Sequence, residues 1–381
     1  MDFPLPLPRI ERLTLNDFRT YRDLDIAPKR ALVALVGENG AGKTNILEAL
    51  SLFMPGRGLR RADFSEMVRH NSSGPHAISI SLETAFGEHR LGTGFDLGEE
   101  RIGRICRIDG ANVSSAARFS EFLRIIWLTP DLDSIFRGAA GDRRRFLDRL
   151  VLAVDPEHGA RVNALERALR NRNRLLEENT PDPTWLEAIE REIAEVGIAV
   201  ASARRETVER LGALIDREHE SFAPFPFAKI ALSGDIDQMV AKMAAVDAED
   251  HYRQILRNNR ARDRAAGRTL IGPQASDLLV RHGPKDIPAN IASTGEQKAL
   301  LIGLILAQAR LISQMNGSPP LVLLDEVAAH LDPARRRALY QALNQLGGQV
   351  WMTGADPVLF EDLKGEADIY RVADGTVTAQ T

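Results

Sequence analysis

The 381-residue chain is long enough for two domains, or for one large domain that carries an insertion. Its 27% charged and 44% hydrophobic residues are ordinary for a globular protein, and a net charge of -4 gives no global attraction to nucleic acid, so any such binding must come from local basic patches. The single cysteine, Cys106, excludes an intrachain disulfide framework and fits a reducing cytoplasm.

At the N-terminus, MDFPLPLPRIER has no basic region followed by a hydrophobic core. Nowhere do about 18 uncharged apolar residues run together, so a cytoplasmic protein without leader or membrane span is expected. From Ile10 to about Ile26, IERLTLNDFRTYRDLDI alternates apolar and polar residues through Leu13, Leu15 and Phe18, which predicts a half-buried strand pair. ALVALVG, Ala31–Gly37, is a continuous apolar run, the pattern of a strand buried on both faces. It ends in glycines, and TNILEALSLFM behind it has its apolar residues at helical spacing, so strand, glycine loop and helix are expected in succession. Residues 76–110 again read as strands, with HAISISLETAF the clearest alternation and LGTGFDLG as turn material.

Between Asp142 and about Arg264 the composition shifts toward Arg, Glu and Ala. RVNALERALRNRNRLLEEN and WLEAIEREIAEVGIAVASARRETVERLGALIDREHESF are long and amphipathic, and TPDP between them (Thr180–Pro183) predicts an antiparallel helical hairpin. Heptads are not sustained for the three or four repeats a coiled coil needs, so a lobe that packs on itself is expected rather than a protruding coil. After Gly267, strand and helix patterns resume through RTLIGPQASDLLV, STGEQ, PPLVLLDEVAAHLDP and GQVWMTGAD. The expected fold is therefore α/β: a P-loop ATPase head formed by residues 1–130 and 266–381, with a mainly helical lobe, residues 131–265, inserted in it.

Gly37-Glu38-Asn39-Gly40-Ala41-Gly42-Lys43-Thr44 matches the P-loop pattern in full, between the strand and the helix its mechanism requires. Gly37, Gly40 and Gly42, with Asn39 among them, let backbone N–H groups converge on one anion, and the helix N-terminus adds its positive end. Lys43 is placed to reach the β- and γ-phosphates, and the Thr44 hydroxyl to ligate Mg²⁺. Apolar Leu321–Leu324 predict a buried strand that presents Asp325 and Glu326 at its carboxyl end, where open α/β sheets bind ligands. Asp325 suits Mg²⁺ and Glu326 a water beside the γ-phosphate. In STGEQKALL, Ser293–Leu301, a serine hydroxyl and glycine N–H groups open an apolar helix, which makes either an ordinary N-cap or a second anion cradle facing another nucleotide.

The order P-loop, STGEQK, LVLLDE, AHLD resembles the ATP-binding cassette ATPases. That resemblance implies that Ser293 and Gly295 contact the γ-phosphate held by an opposite subunit, that Ser293 joins Lys43 and Glu326 in catalysis, and that Asp332 lies in a loop at the dimer interface. Glu296, where transporters usually have glutamine, is similar to the chromosome-maintenance branch. LTLNDFRTYRDLDI and the long insertion resemble the RecF, SMC and Rad50 group. Trp127–Leu150, WLTPDLDSIFRGAAGDRRRFLDRL, with LIGPQASDL and the total length, resembles the RecF family over essentially the whole chain. Two positions depart from the pattern: QASD follows Pro273 in place of a basic sequence, and MTGAD offers Thr353 and Asp356 where cassette ATPases have a switch histidine.

The RecF resemblance implies a DNA repair ATPase with ATP and Mg²⁺ as cofactors and a slow, DNA-stimulated hydrolysis to ADP and phosphate. It implies an ATP-dependent homodimer on double-stranded DNA and single/double-strand junctions, which assists RecA loading with RecO and RecR. Arg57, Arg60 and Arg61, then Arg143, Arg144 and Arg145, and then Arg257, Arg260, Arg262 and Arg264 are the basic clusters available for phosphate, each of them also readable as a solvated helix face. No zinc-finger spacing or helix-turn-helix supports base-specific reading. The competing readings are another SMC-like ATPase coupled to defence or to a nuclease, a transporter ATPase subunit, and a nucleotide-gated scaffold.

Overall fold

The structure, a computed structural model, describes residues 7–69, 76–97, 102–178 and 182–380. Its first part contains β1 (Arg9–Phe18), β2 (Tyr21–Ile26), β3 (Leu32–Val36), α1 (Lys43–Ser51), α2 (Phe64–Met67), β4 (His76–Thr84), β5 (Gly87–Leu97), β6 (Ile102–Ile108), β7 (Ala111–Val113) and β8 (Ile125–Leu128). Next come α3 (Ala140–Val154), α4 (His158–Glu177), α5 (Pro183–Glu218), β9 (Ala228–Ser233), α6 (Asp235–Val240), α7 (Ala245–Asn258), α8 (Arg260–Ala266), β10 (Asp277–His282) and β11 (Ile287–Pro288). The chain closes with α9 (Thr294–Asn316), β12 (Leu321–Leu324), α10 (Pro333–Leu346), β13 (Val350–Gly354), β14 (Ala367–Ala373) and β15 (Thr376–Gln380).

Two compact units result. One comprises residues up to Asp133, Glu218–Phe227 and the chain from Ser293 on; the other comprises Ser134–Arg217 and Ala228–Ala292. The expected division set residues 266–292 with the head, whereas here they belong to the second unit.

The first unit is α/β. Its core is a sheet in the order β15-β14-β3-β13-β12-β8, in which β14, β3, β13, β12 and β8 run parallel. β3, β12 and β13 are buried at every residue, as parallel strands covered on both faces must be. A second sheet, β2-β1-β4-β5-β6-β7, is antiparallel throughout, and β1 carries the alternation of a strand with one wet face. LGTGFDLG, expected as a turn, is instead strand as far as Leu97, with Gly98 outside the described residues. The glycines serve close packing: a Cβ on Gly94 would stand 2.5 Å from the His76 carbonyl on β4. α9 is long and apolar enough by composition to cross a membrane, although Glu296, Lys298 and Arg310 interrupt its uncharged run. It is a core helix, since Gln297–Ala309 are buried without a break.

In the second unit, α4 and α5 pair as expected. Leu165 packs 3.7 Å from the Cβ position of Gly197, and Arg172 bonds Glu190, offsets that run in opposite directions along the two helices. Of the expected turn at TPDP, residues 180 and 181 lie outside the described ones, and Pro183 opens α5. Both helices share an apolar core with α6 and α7, built on Leu165, Leu169, Ile193, Ile198, Ile236 and Tyr252, so the lobe does pack on itself. It is not wholly helical: β9 interrupts the segment and pairs antiparallel with β10 in a three-stranded sheet.

Candidate nucleotide site

β3 delivers the chain to Gly37 and α1 resumes it at Lys43, so the glycine loop lies at the carboxyl end of the parallel sheet. The helix begins on Gly42, in the left-handed region at φ 109°. A Cβ there would stand 2.7 Å from the Tyr21 hydroxyl, which itself donates to the Gly42 carbonyl at 3.0 Å. The turn between β1 and β2 is thereby pressed onto the loop, with Asn45 of α1 donating to the Thr20 hydroxyl at 3.2 Å. Sequence reasoning missed Thr20 and Tyr21, whose only local signal was a polar interruption between two strands.

Lys43 is 3% exposed, and its ammonium donates to the carbonyls of Gly37 and Glu38 at 2.7 and 2.9 Å. Burial pulls its pKa below the ordinary lysine value, while the charges of Glu326 and Asp325 oppose that shift. Asp325 follows the last residue of β12 and is buried. The Thr44 hydroxyl donates to its two carboxylate oxygens at 2.9 and 3.1 Å, so the residues expected at the metal stand together. From β13, the neighbour of β12, the Thr353 hydroxyl donates to Asp325 Oδ1 at 2.7 Å and accepts the Glu326 N–H at 2.9 Å. Glu326 has φ 52°, an uncommon backbone for a glutamate.

A cleft of about 760 Å³ opens beside the loop, lined by Val36–Ala41 on one side and by Arg371–Asp374, Ala355, Pro357 and Gln380 on the other. It has the size and mixed polarity of a small-molecule site. Nothing local in the sequence pointed to the β14 end as its wall.

Ser293 caps α9, accepting the Glu296 N–H at 3.3 Å and donating its own N–H and hydroxyl to Glu296 Oε2 at 3.0 and 2.9 Å. Ser293, Thr294 and Gly295 are exposed while the helix behind them is buried. The stretch is thus an N-cap whose opening turn faces solvent. Asp332 is exposed and caps α10, its carboxylate held below the usual range by the Arg335 N–H.

The basic residues are largely engaged within the chain. Arg57 pairs with Asp63, and Arg60 donates to Asn45 Oδ1 at 2.9 Å beside Glu48. Arg61 is left-handed at φ 55°. In the other unit Arg143 bonds both oxygens of Asp277 at 2.8 and 2.7 Å, Arg144 the Ser276 carbonyl at 2.8 Å, and Arg145 pairs with Asp142. Arg257 and Arg260 pair with Glu187 and Glu190, and Arg264 donates to the Glu178 carbonyl, while Arg262 is exposed.

A glycine loop between a buried parallel strand and a helix, an acid-ended neighbouring strand joined to its threonine, and a capped helix opening toward solvent define an SMC-like ATPase head. The RecF/RecN/SMC N-terminal domain model matches residues 9–378. The DNA replication and repair protein RecF of Mesorhizobium japonicum is 52% identical over 368 residues, with 97% of each chain covered. That of Brucella suis biovar 1 is 49% identical over 370 residues, covering 97% of this chain and 96% of the relative. Among solved structures, the recombination mediator protein RecF-ATPrS in the RecFOR pathway superposes with TM-score 0.86 at 20% identity, covering 98% of this chain and 99% of that one. The Smc head domain from Pyrococcus furiosus, bound to the C-terminal domain of ScpA, gives TM-score 0.53 at 17% identity, covering 98% and 96%. The chain belongs to the RecF family of DNA replication and repair proteins.

Proposed function

We propose that this chain binds Mg-ATP and closes with a second copy of itself, head to tail, so that each Ser293 cradle covers the partner's nucleotide. Closed, it holds duplex DNA near single-strand gaps in the cytoplasm and assists RecA loading with RecO and RecR. Slow hydrolysis, stimulated by DNA, reopens it. The observation that carries this reading is the exposed opening turn at Ser293 and Gly295 on a helix buried from Gln297 to Ala309, a turn that suits a phosphate cradle.

The donor set at the loop fits the ligands. Asn39, Gly40 and Gly42 would supply N–H groups, while Gly37, whose own N–H donates to the Gly354 carbonyl at 3.3 Å, begins the turn that presents them; Lys43 is a buried cation, desolvated enough to favour an anion that replaces its carbonyl partners. Thr44 and Asp325 supply the hard oxygens that suit Mg²⁺ and would hold it. The ion, when bound, neutralises charge on the phosphates. Glu326 would orient the attacking water, and Asp332 at the head of α10 would meet the second copy. The nucleoside would lie in the cleft toward Arg371–Asp374.

The test is sedimentation with and without ATP. Lys43→Met should abolish ATP-dependent dimers, and Ser293→Arg should keep nucleotide binding while blocking them. Dimers that form equally well without ATP refute the model. Gel shifts on gapped, duplex and single-stranded DNA at stated salt should show retention that depends on nucleotide, and indifference to it would remove the coupling.

A further inference from the structure

The Thr353 hydroxyl is fully used and well buried: the residue is 1% exposed, gives its proton to Asp325 Oδ1 at 2.7 Å and accepts the Glu326 N–H at 2.9 Å. Two adjacent acids with different assigned tasks are therefore tied through one side chain on the next strand. The tie falls on a residue with a left-handed backbone. Glu326 sits at φ 52° and ψ 22°, a left-handed conformation that strains a residue with a Cβ. Such a residue stays there only when its surroundings hold it, and the bond from its N–H to Thr353 is the restraint in view. The hydroxyls of Thr44 and Thr353 also converge on the same oxygen, Asp325 Oδ1, at 2.9 and 2.7 Å. Whatever engages Thr44 and Asp325 thus acts on an oxygen that Thr353 shares, and Thr353 acts on the main chain of Glu326.

Resting on the hydrolysis reading above, we infer that Thr353 is the positioning residue for Glu326: it links the metal-side carboxylate to the backbone of the water-orienting glutamate and fixes the direction of that side chain. It acts through Asp325 and the Glu326 main chain. Its effect falls on turnover and leaves affinity alone.

The test compares Thr353→Val, which keeps the shape and loses the hydroxyl, with Thr353→Ser, which keeps the hydroxyl. Expected for Val is a kcat at least about tenfold lower, the loss for one misplaced catalytic contact, with KM and the equilibrium affinity for Mg-ATP within about twofold of wild type. Serine should restore kcat to within about threefold. Hydrogen–deuterium exchange without nucleotide supplies a second readout: the Glu326 amide should exchange faster in Val, while Leu321–Leu324 keep their protection. A Val variant with wild-type kcat, or a Ser variant as slow as Val, overturns the positioning role. So does a Glu326 amide equally protected in Val and wild type. If the wild-type protein itself turns over no ATP, the hydrolysis reading fails and the role fails with it, a result distinct from active wild type beside an unaffected Val variant.

Discussion

Replacing Gly42 by alanine should cost far more than the same change two residues earlier. Gly42 lies at φ 109°, ψ 2°, where an L-residue is strained by roughly 1–2 kcal/mol. The new methyl would also stand 2.7 Å from Tyr21 Oη and 2.9 Å from Thr20 Oγ1, both inside contact distance. Moving the phenol breaks its bond to the Gly42 carbonyl, and an unsatisfied buried hydroxyl costs about 1–3 kcal/mol. The sum is roughly 2–5 kcal/mol. Gly40 provides the control: at φ 84° it shares the strain, but nothing lies within 4 Å of its Cβ position, so Gly40→Ala should cost only roughly 1–2 kcal/mol. Urea denaturation at unchanged slope measures both. In a Tyr21→Phe background the penalty of Gly42→Ala should shrink by about 1 kcal/mol, as expected for residues in direct contact, and incompletely, because Thr20 Oγ1 remains. Equal costs at Gly42 and Gly40, with no coupling to Tyr21, would refute the claim that the turn between β1 and β2 is clamped on the loop.

Arg172 is wholly buried between Glu190 and Asp263 and also bonds Thr269 and the Leu256 carbonyl, so Arg172→Met should destabilise the lobe by about 3–5 kcal/mol in chemical denaturation. A loss under about 1 kcal/mol would show the network to be dispensable. At Asp148 burial pushes the pKa up, but hydrogen bonds from His158 and Arg204 outweigh it and leave the carboxyl below its usual range. A depressed carboxyl adds stability above its unfolded pKa of about 3.9 that is lost as pH falls through the folded value. The deficit of Asp148→Asn against wild type should therefore be full near neutrality and shrink in acid, read from melting temperatures across pH, and a deficit that grows in acid would contradict it. Glu296→Gln keeps an acceptor for the Ser293 cap but removes a negative charge from the cradle, so ATP-driven dimers should tighten severalfold in sedimentation, whereas weaker dimers would count against a phosphate at that turn. Arg57 and Asp63 form an exposed pair worth at most about 1 kcal/mol and readily exchanged for phosphate. Arg57→Ala should lower the salt slope of DNA binding by about one, while Arg143→Ala, which removes a bidentate partner of Asp277, should lower stability and leave that slope unchanged.

What the sequence disclosed was local. The P-loop occupies eight consecutive residues, Gly37 to Thr44, and its strand and helix are its immediate neighbours, so pattern and context could be read together. Ser293 and Glu296 form their capping box within one helical turn. The hydroxyl of Thr353 reaches Asp325 only because β12 and β13 pair with Leu324 opposite Met352, a register no local pattern states. β9 was hidden in an arginine-rich segment because six residues of alternation, AKIALS, are outweighed by the helices around them. The glycines of LGTGFDLG mark a turn by composition, yet β5 requires Gly94 for its approach to the His76 carbonyl on the preceding strand, a demand set by the hairpin's pairing and not by the stretch itself. The arginine runs are open to two readings, and the partner Arg143 finds, Asp277, lies 134 positions away, where no local pattern names it.

These internal partners bear on how the site works. Lys43 rests on two loop carbonyls, Thr44 on Asp325, and Ser293 on Glu296, so each side chain assigned to phosphate or metal already has a polar partner in its own chain. Binding is then an exchange of partners whose net gain is far smaller than the sum of the new contacts. The exchange is uneven. At Lys43 an anion replaces neutral carbonyls around a buried cation, which is favourable, whereas at Ser293 it must displace a carboxylate, which is not. On the proposed reading, that asymmetry would order the events: nucleotide would settle first in the loop of one subunit, and the second subunit's cradle would close only with a weaker remaining drive. A dimer assembled on so small a surplus would open once the γ-phosphate left, the behaviour a switch requires.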